Sequence, residues 1–129
     1  METVKGVMTR QEKAAWLKEN LDQFTGTEHH HRHVLRNVVY TDGVKAMADV
    51  AEAHWLLDLV ASHQRKWASV APFQLWLLTV NPDRTAYVTM QEDKGSPVLV
   101  RQEMHYTSFP LDEFKLYCID SVILLPSEY

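Results

Sequence analysis

Apolar residues recur at three- and four-residue steps as far as Gln64, and at every second position or continuously after Pro72. A helix has 3.6 residues per turn and a strand alternates its faces, so this switch of period divides the chain into a helix-forming half and a strand-forming half. Helices first and strands later is the α+β order. The expectation is an α+β fold, with two or three amino-terminal helices packed on one face of an antiparallel sheet of about four strands.

The pattern places the elements in turn. Thr9 and Glu12 have the Thr-x-x-Glu spacing of a capping box, and Ala14, Trp16, Leu17, Leu21 and Phe24 keep a helical step, which predicts a helix over 10–24 with Gly26 past its end. A loop over 25–33 runs into a short strand over 34–40. Thr41, Asp42 and Gly43 supply an N-cap for a long helix reaching about Gln64, either continuous or broken near Glu52 to His54 into two shorter ones. Strands are predicted over 73–80, 85–91, 98–107 and 113–119. Asn81 to Arg84 form a turn, as do residues 92–97, where Gly95 can take positive φ, and Phe109 to Asp112 make a corner. Residues 122–125 read as a short apolar tail, and Glu128-Tyr129 as an end either docked on the sheet or free.

Composition narrows the partners. At 129 residues, 46% hydrophobic and with four tryptophans, the chain can bury a core without staples, which predicts one domain over 9–129 behind a flexible stretch 1–8. Scattered lysines and arginines and a net charge of -4 argue against tracking a phosphate backbone. No apolar run approaches the roughly 18 residues of a membrane span. The single cysteine, Cys118, and the lack of an amino-terminal apolar segment predict cytoplasmic residence.

Positions 29–33 read His-His-His-Arg-His, which gathers four of the seven histidines. If the segment is extended, His29, His31 and His33 share one face and could ligate zinc, with His54, His63 and His105 as further donors. No spacing such as His-Glu-x-x-His supports this, and metal sites draw ligands from more than one element. His54, Asp58 and Ser62 stand four apart on one helix face, which suits a surface His54–Asp58 pair but not triad geometry. Cys118, sharing a strand face with Phe114 and Leu116, reads as a small buried hydrophobe. Most aromatics fall at core spacing. Trp67, beside Arg65 and Lys66, is either a cover for the sheet edge or an exposed partner anchor. Asp42, Glu52, Asp58, Asp112 and Glu113 supply dispersed negative charge for a basic partner.

Several blocks then agree in order: Leu21-Asp22-Gln23-Phe24-Thr25-Gly26-Thr27, Tyr40-Thr41-Asp42-Gly43-Val44, Trp55-Leu56-Leu57-Asp58, Phe73-Gln74-Leu75-Trp76, Phe109-Pro110-Leu111-Asp112 and Leu124-Leu125-Pro126-Ser127-Glu128-Tyr129. Together they resemble a domain-of-unknown-function family of small bacterial, phage and mobile-element proteins, over nearly all the chain from about Asn20. That family's segment before the first strand ends in Tyr-Arg-His, so Arg32 and His33 match it, and the resemblance implies that His29, His30 and His31 are particular to this chain. It implies no reaction. The expected function is a non-enzymatic protein-binding module without cofactor, carried by a phage or mobile element and inhibiting a host defence complex. The alternative is a metal-binding protein or metal-dependent enzyme using the histidine cluster.

Overall fold

A computed structural model describes residues 8–26, 29–34 and 37–129. The expected flexible stretch therefore lies outside the described residues except for Met8. The capping box forms as its spacing predicts: Glu12 N–H donates to Thr9 Oγ1 at 3.0 Å, and Thr9 N–H donates to Glu12 Oε1 at 2.8 Å. Helix α1 covers Arg10–Asn20, and one 3-10 turn, Leu21–Gln23, completes the span predicted as a single helix.

Two short strands follow, β1 (His30–Arg32) and β2 (Val39–Thr41), paired antiparallel with His31 opposite Tyr40. This corrects the single strand predicted over 34–40, of which residues 35 and 36 lie outside the described residues. The chain reverses instead, closed by His33 N–H donating to the Val38 carbonyl at 2.8 Å, and Val34 points outward with 85% of its surface exposed.

The long helix is broken where the sequence left the choice open. Helix α2 (Asp42–Ala51) starts at the Thr41 cap and stops at Glu52, which adopts the left-handed conformation at φ 54°. Helix α3 (His54–Ser62) and the single turn α4 (Gln64–Trp67) complete it. The Lys13–Glu52 ion pair at 3.0 Å ties α1 to this break.

The strands are β3 (Phe73–Val80), β4 (Ala86–Gln91), β5 (Val98–Met104), β6 (Glu113–Ile119) and β7 (Val122–Leu124). Among the described residues they join β1 and β2 in one seven-stranded sheet of order β1-β2-β7-β6-β3-β4-β5. The expected sheet of about four antiparallel strands is thus both widened and mixed, because β2 and β7 pair in parallel. The predicted apolar tail is β7 itself. Asp120 and Ser121, at φ 51° and 67°, make the tight turn that folds it back on β6, with Ile119 opposite Val122.

Alternation decides where the core sits. Trp76, Leu78 and Val80 from β3 join Val88, Met90, Leu116, Cys118 and Ile123 beneath Val44, Met47, Leu56, Leu57 and Val60 of the helices. Of the tryptophans expected in the core, Trp76 is fully buried whereas Trp16 and Trp55 pack against it part-exposed, as does Trp67, and Tyr106, also expected in the core, is 65% exposed.

Candidate functional site

The histidine segment is extended at β1, so His31 and His33 face the helices as alternation requires. They do not converge. His31 Nε2 meets Asp42 Oδ1 on α2 at 2.8 Å while its ring stacks on Tyr40, and His33 Nε2 meets Asp58 Oδ1 on α3 at 2.7 Å. The His33 side chain is buried, whereas His29 and His30 are exposed. Among the described residues no three His, Cys, Asp or Glu side chains gather as a metal would require.

The expected His54–Asp58 helix pair is replaced. His54 and Asp58 keep their four-residue spacing within α3, but the break at Glu52 brings the end of α2 beside the start of α3, where His54 meets Asp49 at 2.8 Å, and Asp58 meets His33. Burial raises the Asp49 carboxyl, but hydrogen bonds from Lys45 and His54 outweigh it and hold the group below its usual range. Ser62 donates to the Leu59 carbonyl at 2.7 Å and reaches neither partner of the supposed triad. Cys118 is sealed in the core, where burial pushes its thiol up to about 12, far from a nucleophile's range.

A cleft of about 830 Å³ opens between the β1–β2 reversal, helices α3 and α4, and the β6–β7 turn. Asn37, Ser62, Arg65, Ser69 and Ser121 line it, and among the described residues Arg65 is the one charged group in its lining. One lining residue, Gln64, belongs to a buried amide network. Gln64 and Gln74 exchange hydrogen bonds at 2.7 and 2.8 Å, and the Trp76 indole N–H donates to Gln74 Oε1 at 2.8 Å.

The second surface is the sheet face away from the helices. Phe73, Leu75, Leu77 and Thr79 alternate with the buried side of β3 and remain part-exposed. Phe73, Tyr117 and Tyr129 form a trio of rings with centroids 5.3, 5.5 and 5.6 Å apart. The carboxy end is therefore docked. Glu128 accepts from Thr41 Oγ1 at 2.6 Å and from the Gly43 N–H at 3.2 Å, at the start of α2. Glycine at 43 gives this contact its room, because a Cβ would lie 2.6 Å from Leu125 Cδ1 and 2.9 Å from Glu128 Oε2, and both side chains would have to shift.

The residues named as partner contacts are dispersed over the molecule. Asp42 and Asp58 are joined to β1, Glu52 to Lys13, and Trp67 packs on the core with Lys66 Nζ 5.0 Å from its ring centre. Only Glu113, opposite Thr79, falls on the open sheet face, with Asp112 just before it. Sequence reasoning missed Leu75, Leu77 and Tyr117 as surface residues. The run Phe73–Val80 is apolar at both parities, and such a run reads as buried on both sides. The missing signal was the absence of a second group of helices to cover that side.

No helix among the described residues is long and apolar enough to cross a membrane. No curated protein and no solved structure matches the chain. A family model matches residues 15–129, and with that span the chain belongs to the family of unknown function DUF6876.

Proposed function

We propose that this chain is a non-enzymatic protein-binding module and that its open sheet face is the contact surface. The observation that carries the reading is the apolar row of Phe73, Leu75, Leu77 and Tyr117, part-exposed on a central strand pair, with Lys115 opposite Leu77 and Glu113 opposite Thr79 at its border. Apolar and aromatic groups on a fixed frame are what hot spots consist of, with charge at the rim steering the encounter. The net charge of -4 favours a basic partner. The finer reading, a phage or mobile-element product that inhibits a host defence complex, rests on the sequence blocks alone.

The test is capture from the natural host with tagged protein, followed by titration of the captured protein at two salt concentrations. Leu77→Asp should weaken binding by at least about tenfold, or 1.4 kcal/mol, while leaving the melting temperature within a few degrees. Equal binding by Leu77→Asp together with a loss in Trp67→Ala would move the site to the helical side. Catalytic turnover dependent on His33 or Cys118 would defeat the reading.

A further inference from the structure

The long edge of the sheet is β5, which among the described residues pairs with β4 alone and leaves its outer row of backbone N–H and C=O groups without a strand partner. The opposite edge, β1, is only three residues long. Exposed edges are templates for further pairing, and proteins usually blunt them with charged side chains, lysine above all, or with proline. Here the edge carries both signs. Arg101 and Glu103 share the open sheet face, 3.2 Å apart, with Gln102 between them on the helix side near His63.

That order is self-complementary. A two-fold axis normal to the sheet and passing beside Gln102 makes an antiparallel ladder from Val100 to Met104 of two copies. In it Gln102 faces Gln102, Val100 faces Met104, and Arg101 of each copy faces Glu103 of the other. The four charges then alternate in sign around a ring. Sliding the pairing by two residues in either direction sets Arg101 against Arg101 or Glu103 against Glu103, so like charges reject the neighbouring registers. The register shift between Met90 and Gln91 bounds the ladder at its Val98 end. Val98 and Tyr106, 53% and 65% exposed, flank the two ends, and the axis brings the Val98 end of one copy beside the Tyr106 end of the other.

We infer that the chain forms a homodimer through antiparallel pairing of β5 with β5 of a second copy, in the register set by Arg101 and Glu103. Both helical layers then lie on one side of a continuous sheet. Sedimentation equilibrium from micromolar to millimolar protein tests it. The parent should pass from monomer to dimer over that range. Arg101→Glu alone and Glu103→Arg alone each set like charges opposite one another and should raise the dissociation constant at least about tenfold. An equimolar mixture of these two variants should associate as a heterodimer, because each then presents the charge the other lacks, and this recovery also certifies that both are folded. The doubly exchanged variant should dimerise like the parent. A parent that stays monomeric, single variants that associate as well as the parent, or a mixture that fails to associate would each overturn the inference.

Discussion

Gln74 is the residue on which the buried polar contacts converge. Its carbonyl accepts from Gln64 and from the Trp76 indole, and its amide donates to Gln64 and to the Ala71 carbonyl. Gln74→Leu should destabilise the protein by about 2 to 4 kcal/mol, since it leaves several buried partners unpaired at once. Gln64→Leu should cost less, because Gln74 keeps Trp76 and Ala71. Urea unfolding of both variants checks the order, and a Gln74→Leu loss below about 0.5 kcal/mol, the scale of an ordinary surface change, would contradict it. Contacts of this kind were not legible beforehand. Helix spacing pairs His54 with Asp58, yet the left-handed Glu52 just before α3 brings Asp49 to His54, and His33, twenty-five positions before Asp58 and just past β1, takes Asp58.

Among elements, legibility followed length. Strands β3 and β6 have the predicted ends, and the turn with Gly95 at φ 87° is where the sequence places it, because seven or eight residues establish a period. Strands β1, β2 and β7 have three residues each, too few to show alternation, so they read as loop, part of one strand, and tail. The β6–β7 turn carries one unfavourable residue. Asp120 and Ser121 both hold positive φ, and while Asp or Asn suits the first position, Gly is preferred at the second. Replacing Asp120→Asn together with Ser121→Gly should stabilise the protein by about 0.5 to 1 kcal/mol, which is a rise of a few degrees in melting temperature. A fall in the thermal midpoint would show that the Ser121 side chain, at the lip of the cleft, contributes more than its backbone costs.

At the scale of the molecule, the two histidines that face inward join different helices to the sheet edge, which predicts a fold indifferent to metal. Excess zinc and excess chelator should leave the thermal midpoint unchanged, whereas a site filled at a hundredfold its dissociation constant would add about 2.7 kcal/mol. The α+β class followed from the change of period after Pro72, while the width of the sheet did not, since the parallel β2–β7 contact joins segments some eighty residues apart. That contact also orders events in time. Among the described residues, strands β1 and β2 reach the rest of the sheet only through β7, and the start of α2 is closed by Glu128. During synthesis the first half of the chain therefore has no finished edge to join until residues 122–128 have left the ribosome. Meanwhile the β3–β4–β5 meander can already pair, so the earliest residues made are among the last to reach their final position.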